Sequence, residues 1–334
     1  MKTKDILDVT LITYNRASCL KSTLEAVFCE HSPIRDCEIS VLNNKSTDGT
    51  QEVIDDFAGR FPNLKCIVNN FNVGGNANIA KAIERYNKPY HWVLCDDDRY
   101  DWSGWSDIQL AMERGERIIC VSDLNLPRDE PARSDPAKLI QQMTFLPSII
   151  YGPGTISDDV MRNVYDNTFA LFPHLAPVIT FINNGGKIYA AKKAVVIQGD
   201  FGREQTSHLQ LPKSNPNVFF KGDTMTLCSG FANLTANIAD RALSKRAFKA
   251  LAFGPAIGAL TFYGEVFIRL HGWRGASSFT DVWNQSTFGM KCILWPLHII
   301  QNSIFYRLFT NRALYEFLRR IAAKRCTAKQ RVSI

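Results

Sequence analysis

The sequence predicts an α/β fold in which helices flank a Rossmann-like, mostly parallel sheet, followed by a mainly helical C-terminal extension. Four short apolar runs predict strands, and they are DVTLITYN, EISVLNN, KCIVNN and HWVLCDDD. Segments with helical spacing separate these runs. Strands that alternate with helices of about 10–15 residues form βαβ units, and such units assemble into a mostly parallel sheet.

The elements follow one another in a regular order. Leu20, Leu24 and Val27 lie on one face of the first predicted helix, for which Ser18 is a candidate N-cap. The turn STDGT precedes the second helix, and GGNANIAKAIERY predicts the third. Beyond residue 105 the pattern predicts strands in RIICVSD, MTFLPSIIYG and KIYAAKKAVVI, and helices in SDDVMRNVYDN and PHLAPVITFINNGG.

Length and charge divide the chain into two parts. A chain of 334 residues, 46% hydrophobic and 21% charged, is ordinary for a globular protein of about two domains. We predict a first domain over residues 1–210 and a second over 211–334, with the stretch 211–218 as a linker or loop. From residue 240 to the end, 15 Lys and Arg stand against 4 Asp and Glu, whereas the remainder has 24 against 28. This asymmetry indicates a polyanionic partner for the basic part, either nucleic acid or a membrane surface.

The nine cysteines indicate a reducing compartment. No two of them have the CxxC spacing of zinc sites, and their odd number shows no disulfide framework. Reduced thiols predict a cytoplasmic protein. The N-terminal residues MKTKDILDVTLITYN contain no long apolar stretch, so we expect no signal peptide.

Polar residues follow the predicted strands at their carboxyl ends, where sheets of this kind bind ligands. They are Asn15, Asn43, Asn44, Asn69 and the run of Asp96, Asp97 and Asp98. Like charges placed this closely repel one another, so something must compensate the three aspartates.

A divalent cation suits the aspartate run, because Mg²⁺ and Mn²⁺ prefer oxygen ligands and bind one or two carboxylates together with substrate phosphates. Side chains alternate along a strand, so Asp96 and Asp98 point the same way if the strand geometry persists. One of them would hold a ribose hydroxyl and the other the metal, which would bridge the diphosphate of a nucleotide. The alternative is a solvated acidic loop that caps the next helix.

The motifs LITYNR, VLNNKSTDGT, NVGGNANIAKAI and WVLCDDD occur in this order, and together they resemble the family 2 glycosyltransferases with a GT-A fold. The resemblance covers roughly residues 8–200. The Gly74-Gly75-Asn76 form, with Asn78 behind it, is most similar to bacterial enzymes that build O-antigen and other surface polysaccharides, in the abequosyltransferase-like branch. The resemblance implies an inverting, metal-dependent transfer of a sugar from a nucleotide diphosphate sugar.

The resemblance also implies roles for individual residues. The residues that would bind the nucleotide are Thr13, Tyr14, Asn15, Arg16, Asn43, Asn44, Asp48, Gly74, Gly75, Asn78, Asp96 and Asp97. The residues that would hold Mg²⁺ or Mn²⁺ are Asp98 and Asp96. Structural alternatives stay open, since STDGT is also a plain turn, the two glycines also suit a tight turn into a helix, and Arg16 is also a plausible surface cation.

One departure from the family concerns the nucleotide base. The family usually has Asp where Asn43 stands, and that Asp accepts a hydrogen bond from uracil N3–H. An asparagine accepts through its carbonyl oxygen and also donates, which N3 of cytosine would require. We therefore expect CDP-sugars to be permitted beside UDP- or dTDP-sugars.

The general base departs from the family as well. The family usually takes this base from a Glu-Asp pair that opens a helix, and here Pro173-His174 occupies that place, which puts His174 at the base position. Histidine is chemically apt, because its ordinary pKa lies near neutrality. Asp158 and Asp159 are reserve candidates that also suit the N-cap of their helix. Arg203 and His208 would belong to a loop that closes on the diphosphate.

The C-terminal region indicates where the acceptor is held. An apolar stripe at helical spacing, with basic residues beside it, is formed by Leu314, Phe317, Leu318 and Ile321. Such a helix lies in a membrane interface. Members of the resembled family extend glycans on undecaprenyl diphosphate, which implies a lipid-linked oligosaccharide acceptor and a protein peripheral on the inner face of the cell membrane. The stretch 251–268 suits a re-entrant or interfacial segment. The alternative for the whole region is a helical subdomain or an oligomer interface.

Competing functions follow from the same residues. A nucleotidyltransferase would need a Gly-rich, basic loop after the first strand, and TYNRASC contains no glycine. A non-catalytic sugar-nucleotide or glycan-binding protein stays open because of Pro173-His174. We expect no nucleic-acid partner, since the basic region contains no recognised module. A dehydrogenase is disfavoured, because GGNAN does not match GxGxxG and follows the third strand.

Overall fold

The computed structural model describes residues 2–122, 134–169, 172–199 and 231–261, together with short stretches between residues 284 and 295. The chain divides into two compact units, Met1–Gln210 and Leu211–Ile334. The first unit contains a seven-stranded sheet flanked by helices.

The sheet is built mostly from parallel pairs. Its strands and those of a second, smaller sheet are β1 (Leu7–Thr13), β2 (Glu38–Asn43), β3 (Leu64–Val68), β4 (Tyr90–Cys95), β5 (Arg99–Tyr100), β6 (Ile118–Cys120), β7 (Ile149–Tyr151), β8 (Tyr189–Ala190) and β9 (Val196–Ile197). The order in the large sheet is β3-β2-β1-β4-β7-β6-β8. Among the described strands of the large sheet, only β7 runs antiparallel to its neighbours, which are β4 and β6. The prediction of an α/β fold with a mostly parallel sheet is confirmed.

Helices connect the parallel strands, as the spacing predicts. They are α1 (Thr3–Ile6), α2 (Ala17–Val27), α3 (Thr50–Arg60), α4 (Gly75–Ile83), α5 (Trp105–Glu113), α6 (Pro136–Gln142), α7 (Asp158–Asp166) and α8 (Ala176–Asn183). Helix α2 buries Leu20, Leu24 and Val27. The N-cap of α2 is Arg16, so Ser18 lies inside the first turn and the prediction that it caps the helix is wrong.

The burial of the central strands explains why their sequences are continuous apolar runs. Strands β1 and β4 lie inside the sheet, and Leu7, Leu11, Trp92 and Leu94 on them are fully buried. A parallel strand that is covered on both faces carries apolar residues at successive positions. The core therefore fixes the positions at which β1 and β4 end, and the polar residues follow there.

The small sheet pairs β5 with β9 in antiparallel fashion, with Tyr100 opposite Val196. KIYAAKKAVVI was predicted as one strand, whereas the structure has two short strands, β8 in the large sheet and β9 in the small one. The chain turns between them, where the Lys192 amide donates to Asp107 and the Asp101 amide donates to the Val195 carbonyl. This turn brings Gly199 to the aspartate run.

The described part of the second unit is helical. Residues 231–236 form one helical segment, and α9 (Arg241–Thr261) follows. Helix α9 buries Leu243, Ala247, Phe248 and Leu251. No helix among the described residues is long and apolar enough to cross a membrane. The predictions for residues 211–218, for Arg203 and His208, for 262–268 and for the stripe from Leu314 to Ile321 lie outside the described residues.

Candidate functional site

Four neighbouring strands end in buried polar side chains at one edge of the sheet. Thr13 and Asn43 are the last residues of β1 and β2, and Asn69 and Asp96 directly follow β3 and β4. All four are at most 4% exposed. Because these strands are parallel neighbours in the order β3-β2-β1-β4, the four residues lie side by side.

Arg16 and Thr13 compensate the first part of the aspartate run. The Thr13 hydroxyl donates to Asp96 Oδ2 at 2.7 Å, and Arg16 Nη1 donates to Asp96 Oδ1 at 3.1 Å. The same Arg16 nitrogen forms an ion pair with Asp97. Burial raises the pKa of Asp96 to about 6, although Arg16 and Thr13 act in the opposite direction. A guanidinium between two carboxylates therefore relieves most of their mutual repulsion.

Asp98 is left without such a partner. Within the part of the chain that the structure describes, its Oδ1 accepts one long hydrogen bond, from the Gly199 amide at 3.4 Å. Its Oδ2 is buried and has no hydrogen-bond partner among the described residues. Burial, and then the charge of Asp97, raise the pKa of Asp98 to about 8. A buried carboxylate oxygen without a donor is unfavourable in isolation, so this atom suits a bound cation.

The donor set around Asp98 fits a hard divalent cation. Ligand atoms of Cys95, Asp97 and Asp98 all lie within 4.8 Å of one another. Burial raises the pKa of the Cys95 thiol well above its ordinary value, which keeps the sulfur protonated and a poor ligand. Two carboxylates then remain, a number typical of Mg²⁺ sites completed by phosphate and water.

The geometry favours a different metal pair from the predicted Asp96 and Asp98. Strand β4 ends at Cys95, and the next two residues form a turn, so side-chain alternation does not continue through the run. Both carboxylate oxygens of Asp96 already accept hydrogen bonds. Asp97 takes the place of Asp96 beside Asp98.

A network of asparagines holds the glycine loop. Asn69 Nδ2 donates to Asn44 Oδ1 at 2.9 Å and to Asn78 Oδ1 at 2.8 Å. Asn44 Nδ2 donates to Asn72 Oδ1, which also accepts from the Gly74 amide, each at 2.8 Å. Gly74 has a φ of 83°, a conformation that favours glycine. Asn44 and Asn78, predicted to touch the nucleotide, are buried and act on the loop instead.

Asn43 is committed to the protein and does not present its amide to a ligand. Asn43 Oδ1 accepts from the Ser46 amide at 2.8 Å, and Asn43 Nδ2 donates to Gln51 Oε1 at 3.0 Å. The side chain is 1% exposed. The argument that Asn43 reads a cytosine base therefore has no geometric support.

The loops after β1 and β2 are joined to each other. The Thr47 amide donates to Asn15 Oδ1 at 2.7 Å, and the Ala17 amide donates to Asp48 Oδ2 at 3.2 Å. Asn15 has a φ of 52°, a conformation that asparagine tolerates better than most residues. Asn15, Asp48, Gly74 and Gly75 are exposed, and Tyr14 is half-buried. These predicted residues line the rim of the edge that the buried set supports.

His174 has the environment of a core histidine. It is 2% exposed, and its Nε2 donates to the Met143 carbonyl at 3.0 Å. The Tyr151 hydroxyl donates to the His174 carbonyl at 2.8 Å. Burial lowers the pKa of His174 to about 4. A general base must reach the acceptor hydroxyl, so this conformation gives His174 no such contact. Its role as a base stays a prediction.

The reserve carboxylates lie on an exposed helix end. Ser157 is the N-cap of α7 and accepts a hydrogen bond from Val160, so the prediction that Asp158 or Asp159 caps this helix is wrong. Both occupy its first turn, where a negative charge suits the helix dipole, and Asp159 pairs with Arg162 at 2.9 Å. Their role as a base is likewise untested.

Three contributors escaped the sequence analysis. The Thr23 hydroxyl donates to the Asp96 carbonyl at 2.9 Å, Cys95 places its sulfur beside the carboxylates, and Gly199 donates to Asp98. Thr23 lies on the same buried face of α2 as Leu20 and Leu24, so its spacing could have indicated that it faces the sheet. No local signal relates Gly199 to a residue about a hundred positions earlier.

Replacing Arg16 with Gln removes the cation between Asp96 and Asp97. We expect the free energy of unfolding to fall by about 3 kcal/mol, because the variant leaves the buried Asp96 and the half-buried Asp97 without their cation. Adding Asp97→Asn to R16Q should restore about 1 kcal/mol, since one of the two charges is then gone. Urea denaturation of the wild type, both single variants and the double variant measures this coupling.

The matched control for this cycle is Arg60 with Asp56, an exposed ion pair of 2.7 Å on α3. Its coupling should stay below about 1 kcal/mol. Equal coupling for the two pairs would contradict the stabilising role given to Arg16.

The buried ring of His174 predicts a pH dependence of stability. Its folded-state pKa of about 4 lies below the ordinary 6.5, so the unfolded chain binds the proton more tightly. Stability is therefore complete above pH 6.5 and is lost as the pH falls toward 4, by about 2 kcal/mol between pH 7 and pH 5. Urea denaturation at both pH values should show this loss reduced in His174→Gln. The same loss in both proteins would mean that the ring is not buried in its neutral form.

Comparison with known proteins identifies the family. Residues 8–173, about half of the chain, match the model of glycosyl transferase family 2. An abequosyltransferase of Salmonella typhimurium is 30% identical over 95 residues, which are 28% of this chain and 28% of that protein. An uncharacterized protein of Mycobacterium tuberculosis is 21% identical over 179 residues, 47% of this chain and 50% of that protein. The chain spans half or less of the length of these curated relatives.

Solved structures share the fold. TarS from S. aureus superposes with a TM-score of 0.56 at 12% identity, over 94% of this chain and 91% of that chain. The complex of TarS with UDP-GlcNAc gives the same TM-score. The sheet order and this likeness confirm the predicted GT-A fold. Through its residues 8–173, the chain belongs to glycosyl transferase family 2.

Proposed function

We propose that this chain is an inverting, metal-dependent glycosyltransferase that takes its sugar from a nucleotide diphosphate sugar. One observation carries the proposal: among the described residues, a buried carboxylate oxygen of Asp98 beside Asp97 has no hydrogen-bond partner, at the strand end where sheets of this class bind ligands. The complex of TarS with UDP-GlcNAc supports a nucleotide sugar as the donor.

Asp97 and Asp98 would hold Mg²⁺ or Mn²⁺ through one carboxylate each. When bound, the cation supplies positive charge to the diphosphate leaving group, which makes its departure easier. Arg16 keeps Asp96 and Asp97 in place, so the carboxylates do not separate by mutual repulsion. The asparagine network holds Gly74 and Gly75, whose missing side chains let the nucleotide approach the main chain.

The transfer needs one further group. The bond from the sugar's anomeric carbon to the diphosphate breaks, the acceptor oxygen forms a bond at the opposite face, and a general base takes the acceptor's proton. Our candidates for this base are His174, Asp158 and Asp159. Asp158 and Asp159 are exposed, whereas His174 would have to leave its contact with Met143 to reach an acceptor.

The acceptor that we propose is a lipid-linked glycan of undecaprenyl-diphosphate type, in the synthesis of a surface polysaccharide such as O-antigen. The similarity to an abequosyltransferase supports a sugar transfer, and the acceptor class follows from the resemblance of the motifs to enzymes that build surface polysaccharides. In this scheme residues 1–210 bind the nucleotide sugar and residues 211–334 serve the acceptor and the membrane.

Helix α9 supports contact with a membrane surface. The side opposite its buried residues carries four cations and no carboxylate, and they are Arg241, Lys245, Arg246 and Lys249. A basic helix face is attracted to anionic lipid by about 1 kcal/mol for each cation near the surface. We therefore propose that the protein is cytoplasmic and peripheral on the inner face of the cell membrane.

Calorimetric titration tests the donor site directly. UDP, CDP, dTDP and GDP are titrated into the protein with and without Mn²⁺, and we expect one of them to bind only with Mn²⁺. The variant Asp98→Asn should weaken that binding at least about tenfold, which corresponds to about 1.4 kcal/mol. It removes the charge that the cation needs while keeping the shape of the side chain.

The control is Asp56→Asn, which removes an exposed carboxylate on α3 and should bind as the wild type does. If the wild type binds none of the four nucleotides with Mn²⁺, the proposed donor site is wrong. If D98N binds as the wild type does, Asp98 does not hold the cation.

Vesicle sedimentation tests the membrane contact. The full chain should sediment with vesicles that contain phosphatidylglycerol and remain in solution with pure phosphatidylcholine. Changing the four cations of α9 to Gln should weaken the binding at least about tenfold, because each contributes about 1 kcal/mol.

A matched variant changes four exposed lysines of the first unit to Gln, and they are Lys2, Lys4, Lys21 and Lys187. It has the same net charge as the α9 variant and should keep its binding to anionic vesicles. Equal loss in both variants would show a nonspecific charge effect and would remove the case for α9.

A further inference from the structure

Two buried oxygens without a partner lie two residues apart in the chain. Among the described residues, four buried side-chain atoms have no hydrogen-bond partner, and two of these are Asp98 Oδ2 and the hydroxyl of Tyr100. The other two belong to Ser32 and His174, which lie elsewhere in the sequence. The proposed cation site accounts for Asp98 and leaves Tyr100 without a role.

The chain turns both side chains to the same side. Tyr100 is in the extended strand β5, and successive side chains along an extended segment alternate. Arg99, between them, is exposed, so Asp98 and Tyr100 both point inward. A tyrosine hydroxyl is protonated at neutral pH, so it is able to donate a hydrogen bond.

The Tyr100 ring is fixed by its neighbours. It stacks on Trp102 with ring centroids 4.9 Å apart and a 9° angle, and it lies edge-on to Trp92 at 6.3 Å. The backbone of Tyr100 pairs with Val196. The hydroxyl cannot swing out to water without breaking these contacts. A phenylalanine would fill the same place and would bury no unpaired polar group.

We propose that Tyr100 is a positioning residue of the cation site, whose hydroxyl donates a hydrogen bond to an oxygen ligand of the cation at Asp97 and Asp98. That ligand is a water molecule or a phosphate oxygen of the nucleotide. This inference rests on the proposed function, because it needs a cation and a diphosphate there. It explains why a donor and an acceptor two residues apart in the chain are both buried and both without partners among the described residues.

The test is Tyr100→Phe, which removes one oxygen and keeps both ring contacts. Titration calorimetry measures the affinity for Mn²⁺ alone, and for the nucleotide that the wild type binds with Mn²⁺. We expect Y100F to bind that nucleotide at least about fivefold more weakly in the presence of Mn²⁺. Urea denaturation without ligand should show Y100F at least as stable as the wild type, because the variant loses only an unsatisfied group.

The control is Tyr90→Phe, which removes a buried hydroxyl that donates to the Met112 carbonyl at 2.9 Å. Y90F should be less stable than the wild type and should keep its Mn²⁺ and nucleotide affinity. Relative to the wild type, Y100F should therefore lose nucleotide affinity without losing stability, whereas Y90F should lose stability without losing nucleotide affinity.

The outcomes separate the two proposals. If the wild type binds a nucleotide with Mn²⁺ and Y100F binds it equally well, the role of Tyr100 is overturned and the donor site stands. If the wild type binds no nucleotide, the donor site fails and the inference fails with it. If Y100F loses affinity only as much as Y90F does, the effect is structural and Tyr100 has no positioning role.

Discussion

The Arg16 guanidinium between Asp96 and Asp97 is the interaction on which this edge of the sheet depends. Arg16 follows β1, and the aspartates follow β4, about eighty residues later in the chain. The parallel pairing of these two strands makes the contact, since it aligns Ile12 with Cys95 and so brings both strand ends together. Once Arg16 is there, two neighbouring carboxylates are held in a buried turn that they would otherwise leave.

Arg16 compensates only part of the negative charge of the aspartate run, and the uncompensated part is what a bound cation would neutralise. Arg16 and Thr13 serve Asp96 and Asp97, whereas one oxygen of Asp98 has no donor among the residues that the structure describes. A second resident cation would satisfy Asp98 and would also fill the place that we propose for the metal ion. A site that must take up a cation with its substrate has to leave one charge open, at some loss of stability in its absence.

The sequence predicted the strands, their connecting helices and the edge at which polar residues gather, because these follow from periodicity and from the parallel connection rule. It did not predict which polar residues face a ligand. Binding residues commonly follow strands or open a helix, and so do Asn43, Asn44 and Asn78. Their side-chain amides nevertheless form hydrogen bonds with Ser46, Gln51 and other asparagines. The pairing of Asp97 with Asp98 depends on a turn at Asp96 that alternation along a strand does not reveal. The contact of Gly199 depends on the pairing of β9 with β5.

The pairing of β5 with β9 makes the site depend on distant residues. Asp98 is held between the turn after β4 and the Gly199 amide, which follows β9. The Tyr100 ring, two residues after Asp98, rests on Trp102 and Trp92, so the core of the first unit fixes β5 directly behind the aspartate run. Substitutions in β9 therefore act on Asp98 through the main chain, without touching a nucleotide. A site assembled in this way responds to changes in three separate segments, which is why a motif of three aspartates describes only part of it.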